Sequence, residues 1–295
     1  MPPMSANVVE RMVWLGRDIK LSHTVFAMPF ALLAAILAAN GFPGWTKIGL
    51  IVVCMFLART FAMLANRYVD RDIDARNPRT AGRAIPAGKL TARDVMVAMV
   101  VCGLVFIGCA AAFGWLFQNW WPAIFAPIVL IWLGVYGLFK RFTMFCHFFL
   151  GGALAISPLA AGLAIEPSYL TQPTLWWMAG FVLLWVGGFD VIYAMQDMEV
   201  DRRDGLHSIP AKFGPQGSLI IAKVAHLLAL VALIAVEKTS TELTNLFFYG
   251  VIGVGVLLIV EHHAASRGKF SMAFFMVNGV ISLMLGALGI IDILR

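Results

Sequence analysis

Nine long apolar segments run through this chain, and they restrict its fold more than any other feature of the sequence. Each is close to the length of about 20 residues that an α-helix needs to cross a lipid bilayer. The segments cover approximately residues 21–40, 48–68, 94–117, 121–139, 144–165, 174–195, 217–236, 244–261 and 270–291. Only 13% of the 295 residues are charged, whereas a soluble domain has about 25%. We therefore predict an all-α integral membrane protein with about nine transmembrane helices around a central cavity.

Basic residues are distributed unevenly between the two ends of these segments. Eighteen of the 22 lysines and arginines fall on the side that holds the N-terminus, and Lys47, Lys238 and Arg295 fall on the other. Loops rich in lysine and arginine stay in the cytoplasm. This distribution predicts a multi-pass protein with a cytoplasmic N-terminus.

Two groups of oxygen-bearing side chains lie at the cytoplasmic ends of two segments. Asn66, Asp70 and Asp74 are spaced four residues apart, so they form one stripe on a helix. Asp197 and Asp201 repeat that spacing after the sixth segment. One such group would equally suit a solvated helix end paired with arginines, but two facing groups would repel unless cations neutralised them. Oxygen ligands favour Mg²⁺ that holds a phosphate, so we predict that these five residues bind magnesium at a cytoplasmic mouth.

The polar connections after the two acidic groups resemble each other. Each contains a basic stretch followed by Ile-Pro-Ala, at residues 85–87 and 209–211. This similarity indicates an internal duplication of helical units, in which the two acidic groups face each other across the cavity. We predict one transmembrane domain over residues 1–295, built from two helical halves at roughly 21–140 and 144–291.

Cationic side chains lie beside the acidic groups. Lys140 ends the fourth segment, and Arg79 and Arg83 follow the first acidic group. The retention of basic residues in the cytoplasm explains most such cations, and Lys140 is the clearest exception. A magnesium–diphosphate group needs acids for the metal and bases for the remaining phosphate oxygens. The mixture therefore predicts a diphosphate site.

Two ionisable residues lie at membrane depth. Arg59 is seven residues before Asn66, and Asp190 is seven residues before Asp197, so each is two helical turns deeper than its acidic group. Charged residues at this depth usually face an interior cavity and mark functional sites. They either contact the substrate or pair with each other. Tyr193 adds a hydroxyl one turn from Asp190.

A membrane-embedded cavity with such a mouth suits a molecule with a diphosphate head and a long apolar tail, namely an isoprenyl diphosphate. Magnesium and basic residues would stabilise the departing diphosphate as the C–O bond breaks. The allylic cation would then need a dry, aromatic-rich pocket and a nearby nucleophile. The residues therefore predict transfer of a prenyl group.

Both motifs resemble the signatures of the UbiA superfamily of intramembrane aromatic prenyltransferases. The first lies in NRYVDRDIDARNPRTAGR, the second in YAMQDMEVDRRDGLHSIP, and the segment YGLFKRFT around Lys140 is also similar. The resemblance implies that the five acidic-group residues bind two Mg²⁺ and, through them, the diphosphate. It further implies that Lys140, Arg67 and Tyr193 contact the diphosphate or the cavity around it, and that the prenyl chain is transferred to an aromatic ring carbon.

The aromatic acceptor is the question that the sequence leaves open. Arg67 follows Asn66, where many members of the family have aspartate, and this form resembles the branch that prenylates 4-hydroxybenzoate for ubiquinone in the bacterial inner membrane. The alternative within the family is a naphthoate of menaquinone biosynthesis. A membrane transporter, from a different class, would leave the cytoplasmic carboxylate pairs unexplained. The expected partners are polyprenyl diphosphate, a small aromatic acid and membrane lipid, with no nucleic acid.

Overall fold

The computed structural model describes residues 8–18, 26–270 and 272–295, and the following elements belong to this part of the chain. Its regular elements are helices, which confirms the prediction of an all-α protein. The α-helices are α1 (Val8–Asp18), α2 (Met28–Ala38), α3 (Trp45–Arg76), α4 (Ala92–Phe117), α5 (Trp121–Val135), α6 (Cys146–Ile165), α7 (Thr174–Ala194), α8 (Met198–Arg203), α9 (Ile209–Thr239), α10 (Asn245–Ser266) and α11 (Asn278–Leu294). Three 3₁₀ turns, Tyr136–Arg141, Pro167–Thr171 and Met195–Asp197, and a π-helical turn, Met272–Val277, lie between them.

Within the described ranges, eight helical units are long and apolar enough to cross a membrane, and each overlaps one predicted segment. They are Trp45–Arg76, Ala92–Phe117, Trp121–Arg141, Cys146–Ile165, Thr174–Arg203, Ile209–Thr239, Asn245–Ser266 and Met272–Leu294. The apolar helix α2 lies in the first predicted segment but has 11 residues. Residues 19–25 precede it and lie outside the described ranges, so a ninth span stays a prediction.

Large apolar side chains cover the outside of the helical bundle. Leu104 on α4, Ile131 on α5 and Ile259 on α10 are 65%, 65% and 72% exposed. Water would disfavour so much exposed apolar surface, whereas the hydrocarbon of a bilayer accommodates it. The protein is therefore a membrane protein with several spanning helices.

Helix α7 runs through the middle of the bundle, between α6 and α9. Its Trp185 is fully buried. Gly151 on α6 lies against the backbone carbonyl of Leu183, and Gly188 on α7 lies against His226 on α9, so a Cβ at either glycine would collide. Small residues allow helices to approach closely in membranes. This packing fixes α6 and α7 relative to each other near the candidate site.

Two helices extend past the predicted apolar segments into polar sequence. α3 continues to Arg76, and α9 begins at Ile209, where the Ser208 hydroxyl accepts a backbone N–H of the first turn. Gly214, just before Pro215, has a non-helical backbone with a φ of 69° and kinks α9 at this point. The helical parts of the chain therefore reach well into the polar end of the bundle.

The two acidic groups are built on different backbones. Asn66, Asp70 and Asp74 lie on one face of the continuous helix α3. Asp197 lies in the 3₁₀ turn that follows α7, and Asp201 lies in the short helix α8. The second group is therefore held by a change of helix type rather than by one uninterrupted helix.

Candidate active site

One cavity, called the polar cavity below, brings the two acidic groups together. Its walls come from the ends of α3 and α7, the connection after α3, the 3₁₀ turn after α5, the start of α6, and α8. Ten of the side chains proposed from sequence line it: Asn66, Asp70, Asp74, Arg79, Arg83, Lys140, Asp190, Tyr193, Asp197 and Asp201. Residues more than 100 positions apart in sequence thus meet at one site.

The carboxylates on α3 are buried and paired with cations. Asp70 is 4% exposed, and its Oδ2 accepts a hydrogen bond of 2.6 Å from Lys140 Nζ. Both oxygens of Asp74 accept from Arg83 Nη1, at 2.6 and 2.7 Å. Asp70 Oδ1 is buried without a hydrogen-bond partner and lies 3.9 Å from Arg141 Nη2. One buried carboxylate oxygen on this helix is therefore free to take a ligand.

The second acidic group is tied to the connection that follows α3. Asp197 Oδ1 accepts from Asn77 Nδ2 at 2.9 Å and from Arg79 Nε at 2.8 Å, while its Oδ2 accepts from Arg79 Nη2. Arg79 Nη1 also donates to the Tyr193 hydroxyl, at 3.2 Å. Asp201 Oδ2 accepts from Ser208 Oγ at 2.7 Å. The contacts of Asn77 and Arg79 join the two halves of the chain across the cavity.

The charge of the carboxylates in this region favours the protonated, cationic form of a nearby arginine. Burial alone would lower the pKa of Arg79, but the hydrogen bonds and the charge of Asp197 outweigh burial and raise that pKa above its ordinary value. Five carboxylates and three lysine or arginine side chains line the polar cavity. Carboxylates therefore outnumber the lysine and arginine side chains among the residues that line the cavity.

The donor set fits a hard divalent cation such as Mg²⁺. It consists of carboxylate and amide oxygens, including the unpartnered Oδ1 of Asp70. Asn66 Oδ1 lies against Gly137, where a Cβ would come within 2.9 Å of it. Among the described residues, no three His, Cys, Asp or Glu side chains come close enough together to hold one ion. Cations of the chain hold three of the carboxylates instead, so those side chains must rearrange for magnesium to bind.

Asp190 pairs with a residue that the sequence reasoning missed. Its Oδ2 lies 2.7 Å from Nδ1 of His147, which is 3% exposed and also lines the polar cavity. The sequence pattern left a pair with Arg59 open, but the ion-pairing partner of Asp190 is His147. A histidine at the start of an apolar segment was the available signal. Its partner 43 residues away could not be identified without the fold.

A second, apolar cavity adjoins the first, and Arg59 lies in its wall rather than in the polar cavity. Tyr136 and Leu150 line both cavities, so they mark the junction between them. Arg67 is buried and lines neither cavity. One residue along an α-helix rotates a side chain by about 100°, which turns Arg67 away from the face that carries Asn66.

Comparison with known proteins identifies similar sequences and folds. Residues 27–289 match the model of the UbiA prenyltransferase family. The chain is 29% identical over 264 residues to a 4-hydroxybenzoate octaprenyltransferase of Vibrio vulnificus, an alignment that covers 87% of this chain and 88% of that protein.

Two solved structures share the fold. The apo structure of a UbiA homolog from Aeropyrum pernix K1 has a TM-score of 0.83 and 28% identity, over 93% of this chain and 99% of the homolog. A UbiA homolog from Archaeoglobus fulgidus bound to DMAPP and Mg²⁺ has a TM-score of 0.66 and 17% identity, over 95% of this chain and 98% of that one.

Proposed function

The chain belongs to the UbiA prenyltransferase family, and on that premise we propose that it transfers a polyprenyl group from a polyprenyl diphosphate to a ring carbon of 4-hydroxybenzoate. The reaction would serve ubiquinone biosynthesis. The relative from Vibrio vulnificus supports this choice of acceptor over a naphthoate, because it is named for 4-hydroxybenzoate. Membership of an enzyme family decides against the membrane transporter.

The observation that carries the proposal is the meeting of the two acidic groups and three cations in the polar cavity, directly beside an apolar one. A molecule with a charged head and an apolar tail matches this pair of cavities. The diphosphate would occupy the polar cavity, and the prenyl chain would extend past Tyr136 and Leu150 into the apolar cavity. The reacting carbon would then lie near their junction.

Asn66, Asp70, Asp74, Asp197 and Asp201 would hold Mg²⁺, as their oxygen donors allow. Bound magnesium supplies positive charge that stabilises the diphosphate as it leaves. Lys140, Arg79 and Arg83 would bind phosphate oxygens through charge-assisted hydrogen bonds. The UbiA homolog from Archaeoglobus fulgidus is bound to DMAPP and Mg²⁺, which supports the binding of a prenyl diphosphate together with magnesium.

We place the polar cavity at the cytoplasmic side of a bacterial inner membrane, with the N-terminus on the same side. The uneven distribution of lysine and arginine supports this orientation. Soluble diphosphate would then be released to the cytoplasm, while the prenylated product stays in the lipid.

The test is prenyl transfer by the purified protein in detergent with geranyl diphosphate, Mg²⁺ and either 4-hydroxybenzoate or 1,4-dihydroxy-2-naphthoate, with products identified by mass spectrometry. We expect ring-prenylated 4-hydroxybenzoate. Prenylation of the naphthoate alone would refute the acceptor. Transfer that needed no divalent metal would refute the magnesium site.

Two aspartates on α3 provide a matched pair for that assay. Asp70→Ala removes a proposed magnesium ligand, and we expect it to abolish turnover. Asp72→Ala changes a neighbouring carboxylate that is 77% exposed and should leave turnover near normal. Equal activity of both variants at saturating Mg²⁺ would show that Asp70 is not a ligand.

A further inference from the structure

The pair of Asp190 and His147 is held in place by three helices. Asp190 belongs to α7 and His147 to the first turn of α6. His147 Nδ1 lies 2.7 Å from Asp190 Oδ2, and the backbone N–H of Ile209, the first residue of α9, points to His147 Nε2 at 3.4 Å. With both ring nitrogens engaged and the ring buried, the orientation of the imidazole is fixed.

The pair also has a defined donor and acceptor. His147 Nδ1 lies 2.7 Å from Asp190 Oδ2, so a proton on Nδ1 makes the imidazole the donor and the carboxylate oxygen the acceptor. Asp190 Oδ1 makes no hydrogen bond to the described residues, and the side chain is 21% exposed in the polar cavity. One oxygen of Asp190 is therefore available to accept a proton.

The other carboxylates of the polar cavity are engaged differently. Asp70, Asp74 and Asp197 are each paired with a lysine or arginine, and Asp201 accepts a hydrogen bond from a serine. Asp190 is the cavity carboxylate that is held by a histidine. Seven residues of helix also place it about 10 Å deeper than Asp197, away from the proposed magnesium ligands.

The position of the pair matches the place where the new bond would form. Leu150 lies one turn along α6 from His147, and with Tyr136 it lines both cavities. The carbon that joins the diphosphate to the prenyl tail must lie between the two cavities. The acceptor ring must reach that carbon, so its reacting position comes close to Asp190.

Resting on the proposed function, we infer that Asp190 accepts the proton lost by the aromatic acceptor and that His147 is its positioning residue. The C–O bond of the prenyl diphosphate breaks, and diphosphate leaves with the electron pair. A ring carbon of the acceptor supplies an electron pair to the prenyl carbon, which forms the C–C bond. The C–H bond at that ring carbon then returns its electrons to the ring, its proton passes to Asp190 Oδ1, and water in the polar cavity takes the proton away.

The test compares 4-hydroxybenzoate with the same acid carrying deuterium at both ring positions beside the hydroxyl. In Asp190→Asn we expect kcat to fall by about 10²- to 10⁴-fold, the usual contribution of a general base. Loss of the proton then limits the rate in this variant. The deuterium effect, which is the ratio of turnover with the ordinary acid to turnover with the deuterated acid, should therefore be larger in Asp190→Asn than in the unsubstituted enzyme. Ionisation of the donor does not need Asp190, so exchange of ¹⁸O between the bridging and non-bridging positions of geranyl diphosphate should persist in the variant. That exchange also shows that the variant is folded and binds the donor.

His147 is tested by two substitutions. His147→Phe cannot donate to Asp190, and we expect kcat to fall and the deuterium effect to rise while KM for geranyl diphosphate stays unchanged. His147→Gln keeps a donor and should recover part of kcat. Asp292→Asn is the matched control: Asp292 is a buried helical carboxylate that accepts backbone N–H groups of Thr244 and Phe247 far along α11. It should show no increase in the deuterium effect.

Three outcomes in Asp190→Asn would overturn the inference. They are a normal kcat, a reduced kcat with an unchanged deuterium effect, and the loss of both ¹⁸O exchange and product. The third outcome would indicate that Asp190 has a structural role. Failure of the proposed function is seen separately. In that case the unsubstituted enzyme itself yields no prenylated 4-hydroxybenzoate.

Discussion

Replacing Gly137 with alanine tests the role of Asn66 without removing any proposed ligand. The new Cβ would lie 2.9 Å from Asn66 Oδ1 and 3.6 Å from its Cγ. Ordinary van der Waals contact begins at 3.4 Å, so the amide oxygen must retreat by about 0.5 Å or leave its rotamer. The displaced atom is the end of a flexible side chain, so we expect the fold to be retained.

The effect on magnesium follows from the strict geometry of that ion. Mg²⁺ requires ligand oxygens at about 2.0–2.1 Å in an octahedral arrangement, so a shift of about 0.5 Å breaks a bond to Asn66. Disturbing the surroundings of a metal ligand typically costs about 10- to 100-fold in metal affinity. We expect the Mg²⁺ concentration at half-maximal rate to rise by about that factor in Gly137→Ala.

The assay measures the initial rate of diphosphate release as Mg²⁺ is titrated. Gly134→Ala is the matched control, because a Cβ there would meet Phe61 at 3.8 Å, which is ordinary contact. Its magnesium dependence should equal that of the unsubstituted enzyme. If Gly137→Ala and Gly134→Ala both kept the normal magnesium dependence, Asn66 would not be a ligand and the reasoning would be refuted.

Three further changes test other contacts of the polar cavity. Arg83→Ala removes a proposed donor to the phosphate oxygens, and since a hydrogen bond to a charged group contributes about 1.5–3 kcal/mol, KM for geranyl diphosphate should rise by at least about tenfold; an unchanged KM would contradict a role for Arg83 in diphosphate binding. Ser208→Ala removes the N-cap of α9 and the donor to Asp201, which should destabilise the protein by about 1 kcal/mol, measured by thermal unfolding; an unchanged midpoint would show that the cap is dispensable. Removal of divalent metal with EDTA should abolish turnover, and added Mg²⁺ should restore it; full activity in EDTA would exclude the magnesium site.

The membrane-spanning helices were predictable because hydropathy is a local property. Their polar ends do not follow from hydropathy. The apolar pattern of the second segment stops near residue 68, and only the four-residue spacing of Asn66, Asp70 and Asp74 predicts helix beyond it. In the structure α3 continues to Arg76, with Asp70 and Asp74 held by Lys140 and Arg83. These pairs come from other parts of the chain, so hydropathy carries no sign of them.

The residues of the candidate site likewise divide into those that local spacing predicts and those that only the fold brings together. The four-residue spacing of Asn66, Asp70 and Asp74 places them on one helical face whatever the tertiary structure. The partner of Asp190 depends on how α6 packs against α7, and the close approach of those helices at Gly151 is visible only in the fold. The same is true of Glu261, which is fully buried and bonded to Asn278. Pairing between spans is a tertiary property that local spacing does not encode.

The pairing of cations with carboxylates in the polar cavity bears on how its ligands enter. Lys140, Arg79 and Arg83 are proposed to bind phosphate oxygens, yet each is already hydrogen-bonded to an aspartate. If the diphosphate took these cations by itself, it would leave carboxylates unpaired in a cavity whose lining already holds more carboxylates than lysines and arginines, which is strongly unfavourable. A divalent cation that neutralises the carboxylates releases the same lysine and arginines for the diphosphate. The cavity therefore favours joint entry of metal and donor, because each frees the partners that the other needs.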